Sequence, residues 1–290
     1  GAEEAGAGRV VVVIATHGRE RLALLKDRAL RSVAAQTSPP DHIVVVSDDY
    51  GDQELVDAQR RECDAFADKH GLRLEFMENR RTRHHSGTGC WNTGIYAAQD
   101  IFGDEAYVAI LDDDDQWHED HLTLCRQRAT ANVAWVVSGI TRVEAGPCRR
   151  REKLPAALPG AGEFLKGNPG VQGSNLFVRV CELLEAGGFD EGLRSCTDRD
   201  LCVRLVDALG GRSDAFASTG AYTVEHFAEA DRDRVSLSGS EAKRAGLRLF
   251  WYKWAPRMSQ GERAYFKERA QQLFDCGEEV FQPAEAEAEA

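Results

Sequence analysis

No apolar stretch in these 290 residues approaches the ~20 residues that a helical membrane span needs, and no segment has the pattern of a signal peptide. Excess positive charge is lacking too. Lys and Arg total 36 against 48 Asp and Glu, a formal net charge of −12, so no broad basic face is available for nucleic acid or an anionic membrane. The eight cysteines, at positions 63, 90, 125, 148, 181, 196, 202 and 276, never fall as Cys-x-x-Cys, which argues against a zinc knuckle or redox motif. Their scatter predicts free thiols in a reducing compartment, and hence a cytoplasmic location. Thr16-His17-Gly18-Arg19 is too short for a Gly-rich phosphate cradle, and there is no internal repeat. What remains is 42% hydrophobic, enough for one large domain or a domain with an appendage.

Residues 107–117 read Tyr-Val-Ala-Ile-Leu-Asp-Asp-Asp-Asp-Gln-Trp. The apolar run suits a buried strand. It ends in four adjacent carboxylates, Asp112 to Asp115, which repel one another unless something neutralises them. The carboxyl end of a strand is where open α/β sheets place their ligands. A hard divalent cation held by oxygens, which often carries a phosphorylated substrate, is the natural neutraliser.

Arg9 to Ala15 is a β-branched run expected to be buried on both faces. A helix follows with Leu22, Leu25, Ala29 and Val33 on one side. His42 to Val46 is a second strand, ending at Asp48-Asp49, and Leu72 to Phe76 a third. A helix from Trp91 to Phe102 leads into the acidic strand. Such alternation indicates βαβ units and a mostly parallel sheet, and right-handed crossovers then bring Thr16, Asp48, Asp49 and the Asp cluster to one edge. Further strands are expected over Ala134–Val143, Gln172–Val178 and Ala215–Val224. A helix over Leu201–Leu209 should be N-capped by Thr197, and helical pattern runs from Ser240 to Phe281. Gly1–Gly8 and Pro283–Ala290 read as disordered tails.

The order is a strand into Thr-x-x-Arg, a strand into Asp-Asp, Asn-x-Gly-Ile on a helix, a strand into Leu-Asp-Asp-Asp-Asp-x-Trp, Asp-x-Asp-Leu opening a helix, and a late isolated His. It resembles the inverting GT-A glycosyltransferases of family 2, over roughly residues 9–236. The resemblance implies an α/β, Rossmann-like GT-A fold with a nucleotide-binding half (9–117), an acceptor-binding half (118–236) and a C-terminal helical extension (237–282). It implies a hexosyltransferase-type enzyme using a UDP-sugar with Mn²⁺ or Mg²⁺. The acceptor, whether saccharide, lipid-linked or protein, stays open, and the chain is either a soluble enzyme or one domain of a larger protein.

By the same resemblance, Thr16 and Arg19 border the base and diphosphate, and Asp48 or Asp49 accepts a hydrogen bond from the base. Asn92 and Gly94 lie near the nucleotide and help pack their helix. Asp112 approaches the ribose and Asp114 the metal, with Asp113 and Asp115 as alternatives in register. His226 is a candidate for the metal or diphosphate. Asp198 is the candidate general base, and Asp200 the second choice. An inverting transfer needs one such base for the acceptor hydroxyl. His118 and His121 read mainly as a polar helix start, Trp251, Tyr252 and Trp254 mainly as core or interface. Two positions depart from the family: Trp91 stands where Arg is usual, and Thr197 where Glu is usual. Arg80, Arg81, Arg83 and Arg149 to Arg151 are the expected substitutes for the missing arginine. The alternatives carried are a metal-dependent nucleotidyltransferase and a non-catalytic nucleotide- or partner-binding module.

Overall fold

The computed structural model describes residues 8–82, 86–144, 148–228 and 240–282. Both expected tails (Gly8 apart), Arg83 and the 236/237 boundary lie outside them.

β1 (Val10–Thr16) is followed by a helical stretch made of a 3-10 turn at Arg19–Arg21, α1 (Leu22–Leu24), a π-helical Leu25–Leu30 and α2 (Arg31–Ala34). Then come β2 (His42–Ser47), α3 (Gln53–His70), β3 (Leu74–Glu78), α4 (Thr88–Phe102) and β4 (Tyr107–Asp112). These four strands form a parallel ladder in the order β3-β2-β1-β4. The connecting helices end as their sequences dictate. Asp52 caps α3 by accepting from the Leu55 amide at 3.0 Å, and Gly71 at φ 65° closes it.

β5 (Gln116–Trp117), α5 (His121–Arg128), β6 (Trp135–Val143), β7 (Arg149–Arg151), α6 (Ala161–Lys166), β8 (Leu176–Arg179), α7 (Val180–Glu185), α8 (Thr197–Ala208) and β9 (Phe216–Phe227) extend the sheet and cover it. The order continues β4-β8-β6-β9-β5, with β7 on β6; β8 is antiparallel to both neighbours, while β6 and β9 run parallel. α9 (Glu241–Trp254) and α10 (Gln260–Phe274) complete the described chain, with a 3-10 turn at Glu278–Phe281.

Alternation along the central strands feeds two apolar layers. Val11, Val13, Val44, Val46, Val108 and Ile110 enter one; Val10, Val12, Ile14, Ile43, Val45 and Leu111 enter the other. Leu247, Phe250, Trp254 and Phe266 of the C-terminal helices join the first layer, which identifies Trp254 as core. Gly94 lets α4 lie directly on β1, since a Cβ there would overlap Val13.

Two local expectations change. The strand expected from Gln172 begins only at Leu176. Before it, Asn175 spends its amide on Ser138 and Gly170 carbonyls and accepts from the Gln172 amide, which bends the chain into a 3-10 turn. Thr197 is the first helical residue of α8 rather than its cap. The cap is Cys196, held left-handed at φ 63° without a side-chain bond. All eight cysteines are free.

Candidate active site

Register fixes the edge. Thr16 pairs with Ser47, and Ala15 with Asp112, so the segments following β1, β2 and β4 meet at the carboxyl end of the ladder. There Asp113 accepts from Thr16 Oγ1 at 2.8 Å and from Arg21 Nη1 at 2.6 Å. Arg21 also lies 3.4 Å from Asp114. Burial pushes Asp113 up to about 7, with the Arg21 charge opposing it. Asp115 accepts from Ser174 Oγ at 2.7 Å and the Phe227 amide at 3.2 Å, and pairs with His226 Nδ1 at 3.0 Å. Burial raises its pKa, but the His226 charge and these hydrogen bonds outweigh burial and hold it below the usual carboxylate range. Ser174 Oγ accepts from the Asp112 amide at 3.1 Å, tying both ends of the acidic turn to one hydroxyl.

The four acids are therefore unequal. Asp113 is bonded by Thr16 and Arg21, and Asp115 by Ser174, His226 and the Phe227 amide, while Arg21 reaches Asp114 at 3.4 Å. Asp112 is pushed well above its ordinary value by burial and then by the charges of Asp115, Asp114, Asp198 and Asp113. Asp114 offers its carbonyl to Arg28 Nη1 at 3.1 Å, and the Arg28 guanidinium lies 3.9 Å from the Phe227 ring centroid.

Asp198 lies in the first turn of α8, near enough to this cluster for its charge to act on Asp112. Its Oδ1 is buried and has no hydrogen-bond partner among the described residues. Burial lifts the carboxyl to about 6, against the charges of Lys243 and His226. A buried polar atom without a partner calls for an explanation, and the Asp198 charge is also one of those that raise the Asp112 carboxyl.

Residues 11–176 match the family model for glycosyl transferase family 2. The chain belongs to that family. Its GT-A fold recurs in the crystal structures of S. aureus TarS residues 1–349. One is 15% identical with a TM-score of 0.59, covering 91% of this chain and 72% of that one. The complex with UDP-GlcNAc is 14% identical with a TM-score of 0.59 and coverages of 93% and 73%. The complex with UDP is 14% identical with a TM-score of 0.57 and coverages of 91% and 72%. No curated protein sequence matches the chain.

Several residues of this glycosyltransferase sit differently from the sequence reading. Arg19 is 60% exposed and faces Asp52 and Glu54 at 3.6 and 3.9 Å; Arg21 takes the place at the acids. Gly18 at φ 81° starts the 3-10 turn that carries Arg21 inward, a rotation that spacing alone does not encode. Asp49 braces this loop by accepting from the Gly18 amide at 2.8 Å and from Gln59 Nε2 at 2.7 Å. Asp48 is buried and accepts from Asn79 Nδ2 at 2.6 Å. Asn92 donates to the Phe189 carbonyl at 2.9 Å and to Glu191 at 2.7 Å, and accepts from the Phe189 amide at 2.8 Å. It thus locks α4 to the loop before α8. Ser174 was missed because a lone serine before a strand carries no signal of its partners.

Trp91 is buried against Phe189, centroids 4.7 Å apart. The described arginines expected to replace the family's missing one have other partners. Arg81 pairs with Glu191, Arg149 with Glu225 and Arg150 with Glu152. Arg151 lies over Tyr222. Arg80 lines a cavity of about 360 Å³ between β3 and α4. His121 bonds Thr223 Oγ1 at 2.7 Å, stacks on Trp117, and is held neutral by burial at about 3. Asp200 accepts from Trp254 Nε1 at 2.8 Å and pairs with Lys253 at 2.7 Å and Arg204 at 2.6 Å, so its oxygens are occupied.

Among the described residues no three His, Cys, Asp or Glu side chains converge as a closed metal cage. The donors present still fit a hard cation. Asp112 and Asp114 are carboxylate oxygen donors on one short turn, and a magnesium-type ion commonly takes one or two carboxylates plus substrate phosphates.

Proposed function

We propose that this glycosyltransferase transfers a sugar, with inversion, from a UDP-sugar to an acceptor hydroxyl, with Asp198 as general base. The observation that carries the reading is the buried Asp198 Oδ1, which has no hydrogen-bond partner among the described residues. Held near 6, Asp198 is mostly ionised at neutral pH yet basic enough to take a hydroxyl proton as the bond to the sugar forms. The UDP and UDP-GlcNAc complexes of TarS support a uridine donor.

In this reading Thr16 and Asp48 border the nucleotide, and Asp112 lies toward the ribose. Asp114 holds Mn²⁺ or Mg²⁺, with His226 beside the diphosphate. Bound there, the ion stabilises the charge that develops on the leaving diphosphate. Arg21 and Thr16 fix Asp113, and Ser174 and His226 fix Asp115, so the acidic turn is held from both sides. Residues 9–236 form the catalytic domain and 237–282 its helical extension.

Thermal shift tests this. UDP and UDP-GlcNAc should each raise Tm by several degrees only with Mn²⁺ or Mg²⁺ present, and Asp114→Ala should remove the shift. No shift with either ligand, with or without metal, would sink the reading.

A further inference from the structure

One face of α9 follows the turn that carries Asp198. Ser240 caps the helix by accepting from the Lys243 amide at 3.1 Å, which fixes the first turn. Lys243 is buried and donates from Nζ to Ser195 Oγ at 3.2 Å. One turn on, Gly246 touches the same residue so closely that a Cβ would overlap the Ser195 backbone. Phe250 then lies under the Arg199 guanidinium at 4.4 Å, and Trp254 donates to Asp200 at 2.8 Å. Positions 243, 246, 250 and 254 share one side of a helix. They meet residues 195, 199 and 200 in order, on both sides of Asp198.

We propose that the C-terminal helical extension is part of the catalytic apparatus, with Lys243 as a positioning residue that holds the Asp198 turn in place. The proposal rests on the reading of Asp198 as the base. Lys243 is a weakly solvated cation. Its Nζ lies 4.1 Å from the Phe274 ring centroid on its other side, and among the described residues it makes no ion pair. Its charge is therefore poorly screened. After burial, it is the largest influence on Asp198 and draws the carboxyl's pKa down. The other ionisable groups that act on or feel Asp198 are His226 from β9, Asp112 from β4 and Cys202 from α8. Of these, only His226 opposes burial with Lys243, and it already serves Asp115. Without Lys243, burial and Asp112 act on Asp198 with much less opposition.

The test is a carbon-13 carboxyl titration of the whole chain, with Asp198→Asn identifying the signal. Lys243→Met should raise the Asp198 midpoint by about one pH unit, and Lys243→Arg should return most of that shift. UDP release from UDP-GlcNAc, with water as acceptor, should slow about twofold in Lys243→Met at pH 7 and close to tenfold at pH 5, with donor KM within about twofold of wild type. A merely structural lysine would leave the midpoint where it is, and an unmoved midpoint overturns the proposal. Should Lys243→Met fail to fold, Lys243→Gln keeps a donor to Ser195 without the charge and gives the same readout. Failure of the base reading shows separately, as wild-type UDP release in Asp198→Asn alongside a midpoint that still responds to Lys243.

Discussion

Asp113 and Asp198 are both buried carboxylates of one site, yet they are held in opposite ways. Asp113 sits at the parallel ladder's carboxyl edge, bonded by the hydroxyl that ends β1 and a guanidinium from the turn that follows it. Asp198 begins a helix, keeps an oxygen without a partner, and is steadied through its neighbours Ser195, Arg199 and Asp200. The acidic edge is tied down by bonds from several segments, whereas the turn at Asp198 leaves one carboxylate oxygen unsatisfied. A buried polar group that lacks a partner costs stability, and under the proposed function that cost falls on the acid that receives the proton.

The sharpest way to break the contrast is Asp198→Asn. Transfer should fall by about 10³-fold, within the usual range for loss of a general base, and wild-type activity should rise with pH through about 6 as the carboxyl ionises. Stability should move the other way. The folded pKa lies above the unfolded value, so the folded state binds the extra proton. Wild-type stability therefore falls as pH rises from about 4 through about 6. Asn avoids that loss, so the variant should be more stable than wild type at pH 7 by about 1–2 kcal/mol. Urea unfolding at pH 3.5 and 7.5, which straddle that window, checks the gap.

On the donor side the same kind of change should do the reverse. Arg21→Met leaves Asp113 buried without its counter-charge and should cost about 3–5 kcal/mol at pH 8. The loss should shrink at pH 5, where Asp113, already lifted to about 7, is protonated. An equal loss at both pH values would mean that Arg21 acts by packing alone. Smallest is Arg19→Ala. With its guanidinium in solvent against Asp52 and Glu54, it should change stability by under about 0.5 kcal/mol and leave the UDP-dependent thermal shift intact. A lost shift would restore Arg19 to the nucleotide site.

The ladder was readable because burial on two faces demands continuous apolar runs, and Val10–Ile14, Ile43–Val46 and Tyr107–Leu111 have them. The acids at their ends were readable because register follows from that burial. Arg21 was not, since its place depends on the sign of one glycine's φ. Cys196 as a left-handed cap was equally hidden. The link from Lys243 to Ser195 spans 48 residues and has no local pattern, because an amphipathic helix reveals which face is apolar and not which turn that face will meet.

The position of α9 also has a consequence for synthesis. Chains fold from the N-terminus as they emerge from the ribosome. The β1–β4 ladder can form early, with Thr16 and Arg21 already beside Asp113. Asp115 waits for Ser174 and then for His226 and Phe227. Arg199 and Asp200 meet Phe250 and Trp254 only after α9 has emerged. A ribosome stalled between β9 and α9 would thus carry a nascent protein whose acidic edge is assembled before the turn around Asp198 meets its helix, an order set by nothing more than direction of translation.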